Sequence, residues 1–210
     1  MITGSELITL VRDNDLYNAM TALKRDFLKV DPAFMDLSDD DFISITLISP
    51  SIGIALANGS VSHYEEITLR RKARKLSRRS FFQKNDPLAP ALKYLSYNFK
   101  DWEDRFYELI KITMHSSLKA NNVILETLKN PNALTGDLKR DILNAPFIFV
   151  KFLSFLFMEE DDDLLNERSI TEVELQKIQE IGQKLEIDNV PIFESFLNSF
   201  VIRPSGVNQE

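Results

Sequence analysis

The sequence predicts an all-α fold: a compact multi-helix domain with a pseudo-repeated helix–loop–helix unit. Three observations carry this expectation. Apolar residues recur at three- and four-residue steps along most of the chain, which places them on one face of a helix. Only 6 glycines and 8 prolines occur among 210 residues, too few for the frequent tight turns of an all-β chain. One helix-start pattern, an apolar residue followed by a hydroxyl and then a glutamate three positions on, stands at residues 61–65 and again at 170–174.

Taken in order, residues 5–12 and 15–30 are expected to form two short helices. In the second, Leu16, Ala19, Leu23, Phe27 and Val30 make one apolar face, and Asp31-Pro32 stops it. Ser38 before Asp39, Asp40 and Asp41 is a strong start, a cap followed by carboxylates that suit the positive end of a helix dipole. Residues 42–57 carry conflicting signals. Alternation at Ile43, Ile45 and Leu47 suits a strand, whereas the acidic cap and the alanine-rich finish after Pro50 suit a kinked helix. A helix is expected.

Residues 62–77 form a third helix, 81–90 a loop and 87–99 a short helix. Residues 101–129 form one long helix or a pair, with Trp102, Phe106, Leu109, Ile110 and Thr113 on one face. Asn130-Pro131-Asn132 is a break. Residues 135–158 carry the most hydrophobic helix, with a bend at Pro146. Its stretch 142–158 is 17 residues with the single charge Lys151, short of the ~20 apolar residues a membrane span needs. A buried central helix, and no transmembrane segment, is expected. An acidic loop at 159–168, a helix at 171–185, a short apolar helix at 187–200 behind Pro191 and a polar tail at 203–210 complete the chain. With no linker rich in Gly, Ser or Pro, residues 1–202 read as one helical domain.

The formal net charge is −7, so the whole chain lacks the basic footprint of a nucleic-acid binder. The absence of cysteine removes disulfides, thiolate nucleophiles and zinc–thiolate sites together. The N-terminus lacks the basic and apolar regions of a signal peptide, and a cytoplasmic location is expected.

Shifting the chain from residue 61 to residue 170 superimposes two segments. Val61 falls on Ile170, Ser62 on Thr171, Glu65 on Glu174, Leu69 on Ile178, Ala73 on Gly182 and Leu76 on Leu185. The spacing has a local cause. The hydroxyl accepts from the amide three residues on, and the glutamate reaches back to the cap amide. The later positions form a stripe that docks on a preceding apolar helix. The two units run over residues 38–77 and 142–186.

The run Ala55-Leu56-Ala57-Asn58-Gly59-Ser60-Val61-Ser62 with Glu65 resembles the hallmark of the tellurite-resistance TerB-like domains. That hallmark is an alanine-rich helix end, then Asp-Gly, a spacer, an aliphatic residue, a hydroxyl cap and a glutamate. The resemblance covers residues 38–76 and 143–197 and implies an all-helical domain that carries the motif on two pseudo-symmetric helical pairs. Asn58 stands where the family usually has aspartate, and residues 159–168 replace a compact second turn. The resemblance implies a non-enzymatic stress-response or scaffold role with protein partners. It also implies acidic residues near the two loops that bind a divalent metal ion, here Asn58, Glu65, Asp161, Asp162, Asp163 and Glu174. Read from the residues alone, a solvated acidic loop explains Asp161–Asp163, and helix capping explains Glu65 and Glu174.

Arg70, Arg71, Lys72, Arg74, Lys75, Arg78, Arg79 and Lys84 occur with no acid between Ile67 and Asn85. An anionic partner, nucleic acid or a membrane surface, could use Arg70, Arg71, Arg74, Lys75, Arg78 and Arg79. The competing reading is a solvated face paired with acids. The two histidines, His63 and His115, lie in separate helices, and neither a metalloprotease, a nucleophile-elbow nor a phosphate-loop motif occurs. No enzymatic activity is expected.

Overall fold

A computed structural model describes residues 14–77, 86–119 and 168–203, with Thr135, Arg140, Leu153, Leu156 and Phe157 as isolated further positions. These residues are mostly helical, as the spacing predicts. In chain order they form α1 (Asn14–Leu28), α2 (Asp39–Leu56), α3 (His63–Ser77), α4 (Leu88–Asn98), α5 (Glu103–Lys119), β1 (Arg168–Ile170), α6 (Glu172–Lys184), α7 (Pro191–Leu197) and β2 (Phe200–Ile202). Two short 3-10 turns, Pro32–Phe34 and Phe99–Asp101, precede α2 and α5. Among the described residues no helix is long and apolar enough to cross a membrane.

The conflicted segment is a helix. Ser38 caps α2 by accepting from the Asp41 amide, and the Asp41 carboxylate accepts from the Ser38 amide in return, an arrangement worth about 1 kcal/mol. Two of its buried hydroxyls serve the helix itself: Ser44 Oγ donates to the Asp40 carbonyl and Thr46 Oγ1 to the Phe42 carbonyl. The strand-like alternation has no force here because α2 packs against α1, α3, α4, α5 and α6. Phe42, Ile45, Leu47, Ile48 and Ile52 are all buried. Pro50 lies inside α2, where it cannot supply the amide that the Thr46 carbonyl would receive.

The expected stripes lie inward. Leu69, Ala73 and Leu76 of α3, and Ile178, Gly182 and Leu185 at and beyond α6, are buried. So are Trp102, Phe106, Leu109, Ile110 and Thr113. Phe27 stacks on Phe34 at 4.9 Å and meets Trp102 edge-on at 4.9 Å, which ties α1 to the start of α5. Leu153, Leu156 and Phe157 are helical and buried, as the expected 142–158 helix requires, and Phe157 packs on Phe193 and Phe196. The rest of that helix, the expected 5–12 helix and the break at 130–132 lie outside the described residues.

Some boundaries differ from expectation. Helix α1 ends at Leu28, which leaves Val30 exposed. Helix α4 (Leu88–Asn98) matches the expected 87–99 helix, so residues 88–90 belong to it and not to the expected 81–90 loop. The expected 187–200 helix shortens to α7 at both ends: it starts at Pro191, and Phe200 turns away into β2. Residues 200–202 pair in parallel with residues 168–170 (Ser169 opposite Val201), and the Arg203 amide closes the pair on the Ile170 carbonyl at 2.8 Å. Three-residue strands carry too little periodicity to be read beforehand.

Candidate site at the junction of the two motif units

Each motif copy builds its capping box. After α2 the chain turns at Gly59, whose φ of +98° suits glycine. Ser62 then caps α3: its amide donates to Glu65 Oε2 at 2.7 Å, and the Glu65 amide donates to Ser62 Oγ at 3.2 Å. At the second copy the Thr171 amide donates to Glu174 Oε2 at 2.7 Å, and the Glu174 amide donates to Thr171 Oγ1 at 3.3 Å.

Asn58 links the first copy to the cap of the second. Asn58 Nδ2 donates to Glu174 Oε1 at 3.0 Å, across 116 residues of sequence. Thr171 Oγ1 lies 2.9 Å from Glu174 Oε2 and 3.3 Å from Asn58 Oδ1. A hydroxyl has one proton, and the shorter, charge-assisted bond to Glu174 takes it. Of the sequence-derived acidic set, Asn58 and Glu174 are therefore brought together, while Glu65 turns back into its own cap. Asp161, Asp162 and Asp163 lie outside the described residues.

The described donors at this junction do not by themselves make a hard-cation set. Such an ion wants roughly six or more oxygens. Here both carboxylate oxygens of Glu174 already face N–H or O–H donors, and the Asn58 atom turned toward Glu174 is a nitrogen. Among the described residues no three His, Asp or Glu side chains gather as a metal site would require.

The basic run divides. Arg74 Nε donates to Asp86 Oδ2 at 3.0 Å, and Arg70 approaches the same oxygen at 3.4 Å. Lys72 is buried and donates to Ser51 Oγ at 2.8 Å, while Ser51 Oγ donates to the Leu156 carbonyl at 3.1 Å. That chain of bonds fastens α3 and the helix around Leu156 to α2 just past Pro50. Arg71 and Lys75 are exposed, and Arg78, Arg79 and Lys84 lie outside the described residues. His63 is exposed in the first turn of α3. The side chain of His115 lies outside the described residues.

Local spacing signals at most half of the charged clamp between α5 and α6. Lys177 binds Glu103 at 2.9 Å and Glu180 at 3.1 Å, and Lys184 binds Asp104 at 2.7 Å and Glu180 at 3.1 Å. Partial burial works against the charge on Glu180, but hydrogen bonds from Lys177 and Lys184 outweigh it and lower its pKa. Only the i,i+3 and i,i+4 steps from 177 to 180 and from 180 to 184 could have flagged half of this cluster.

The exposed apolar side chains at the junction also repeat. Tyr64 and Val173 each stand two residues past a cap, at equivalent positions, and are 69% and 45% exposed. Val173 sits between the two residues that Asn58 contacts. Ile202, opposite Ile170 in the strand pair, is exposed as well.

No protein-family model matches the chain, and neither a curated protein nor a solved structure matches it.

Proposed function

We propose that the chain is a non-enzymatic, TerB-like helical module that serves as a cytoplasmic scaffold in a stress response. It meets a protein partner with the end where its two motif units join. The observation that carries this reading is the equivalence of Tyr64 and Val173. Exposed apolar residues scattered singly are ordinary. Two at the same motif position, on helices whose starts are tied by the Asn58–Glu174 bond, are the pair that supports this reading.

A photo-crosslinking residue placed at 64 or at 173, in cells that make the protein, is expected to capture the same partner from both positions. The same residue at Tyr97, the exposed control on α4, is expected to capture none. Tyr64→Glu with Val173→Glu should abolish capture by a crosslinker on the neighbouring Ile202. Equal capture from position 97, or none from 64 and 173, would remove the reading.

A second reading, an anionic partner held by the basic helix, is favoured by the exposure of Arg71 and Lys75 one turn apart on α3. Arg71→Glu with Lys75→Glu should then abolish binding to vesicles rich in anionic lipid or to nucleic acid, and added salt should weaken it steeply. Binding that ignores both changes would leave the helix as a surface alone.

A further inference from the structure

We propose that Asn58 does at this junction what a divalent cation would otherwise do, so that one carboxamide makes the linkage of the two motif units independent of metal. The argument starts from Glu174. Its Oε2 is occupied from its own side by the Thr171 amide at 2.7 Å and hydroxyl at 2.9 Å. Its Oε1 points across the junction at residue 58. An ionised carboxylate only accepts hydrogen bonds. A donor or positive charge at 58 therefore suits it better than an acceptor, and because the bond is exposed the alternative donor is water. The Asn58 amide supplies the donor at 3.0 Å, and this fixes its orientation: turned over, it would set oxygen against oxygen. The Oδ1 end then lies 3.3 Å from the Thr171 hydroxyl, whose single proton goes to Glu174.

The same geometry shows how narrow the margin is. A carboxylate at position 58 would sit about 3 Å from that of Glu174, a distance at which two like charges need a proton or a cation between them. The two carboxylates with the Thr171 hydroxyl would then offer oxygens alone, which is the donor set a hard cation prefers. Nitrogen in place of one oxygen decides between the two states. The inference concerns only the linkage and is independent of any partner at this end: the partner reading can fail while the linkage stands, and the reverse.

The test uses the full chain and thermal unfolding in EDTA, in millimolar calcium and in millimolar magnesium. The wild-type midpoint should be the same in all three, because a ligand that binds only the folded state must raise it. Asn58→Ala removes the donor without adding charge. It should lower the midpoint by roughly 2–4 °C, equally in every buffer. Asn58→Asp should fall below Asn58→Ala in EDTA and rise above it when either metal is added. A wild-type midpoint that rises with metal overturns the proposal. So does an Asn58→Asp chain as stable as Asn58→Ala in EDTA, or one that neither metal lifts above it.

Discussion

Gly182→Ala should destabilise the protein by about 2–3 kcal/mol and lower its thermal midpoint by roughly 5–10 °C. Two effects of opposite sign meet at this position. Alanine is the better helix former by about 1 kcal/mol, and Gly182 lies within α6. Against that, a Cβ there would stand 2.3 and 2.5 Å from two ring carbons of Phe193. No rotation of a methyl group relieves such a contact, so the ring must move. Phe193 is buried between Phe157, at 5.8 Å, and Phe196, at 6.2 Å. Moving it therefore disturbs the packing that joins α6, α7 and the helix around Phe157. Overpacking of this kind costs typically about 1–3 kcal/mol and at times more. Equilibrium urea unfolding of the two proteins checks the sign. An alanine variant as stable as the wild type would mean that helix propensity prevails and that α7 does not seat its ring on α6. Gly182→Ala with Phe193→Leu should recover part of the loss.

That position also shows what the sequence can and cannot convey. The repeat aligns Gly182 with Ala73, and both are buried, so the stripe was readable from spacing alone. The size of each residue was not. It is set by the neighbour across the interface, which for Gly182 is a phenylalanine eleven positions along the chain. The caps were readable for the same reason that the stripe was: Ser38, Ser62 and Thr171 act within three residues of themselves. Residues 42–57 were ambiguous because a helix buried on all sides loses the amphipathic period that identifies helices.

The candidate site was legible as residues and not as an arrangement. Asn58 and Glu174 could be named from the motif, but that they touch depends on how two helical pairs face one another across 116 residues. The basic run misleads in the opposite sense. Read along the chain it is unbroken, yet Asp86, the first acid after it, binds Arg70 and Arg74, and Lys72 turns inward to Ser51. A charge count along a helix records residues and not which of them face water.

The second large effect is expected at Gly53, and it is conditional on Tyr107. Gly53 sits on α2 one turn past Ser49, and a Cβ there would lie 2.6 Å from Tyr107 Oη, with Phe99 Cε1 at 3.2 Å and Lys177 Cε at 3.3 Å. Gly53→Ala should therefore cost about 2 kcal/mol, the clash outweighing the gain in helix propensity. The atom at fault is a hydroxyl oxygen on a side chain only 1% exposed, and that oxygen has no hydrogen-bond partner among the described residues. Tyr107→Phe deletes it. Since a buried hydroxyl without a partner contributes nothing to offset its desolvation, Tyr107→Phe alone should change stability by less than about 1 kcal/mol. In the double variant the worst contact is gone, and the loss from Gly53→Ala should shrink to less than half. The cycle thus yields a coupling of about 1 kcal/mol or more in the stabilising direction. The pH profile gives a separate readout. Burial, reinforced by the charges of Glu103, Glu180 and Asp104, pushes the Tyr107 pKa well above its usual 10.0. The unfolded chain ionises this phenol near that pH while the folded chain does not. Its contribution is thus whole below about pH 10 and is lost as pH rises further. Tyr107→Phe should flatten that alkaline decline. Additive losses in the cycle, or a Tyr107→Phe cost well above 1 kcal/mol, would show that the hydroxyl is held by a bond of its own and not merely accommodated by the missing Cβ of Gly53.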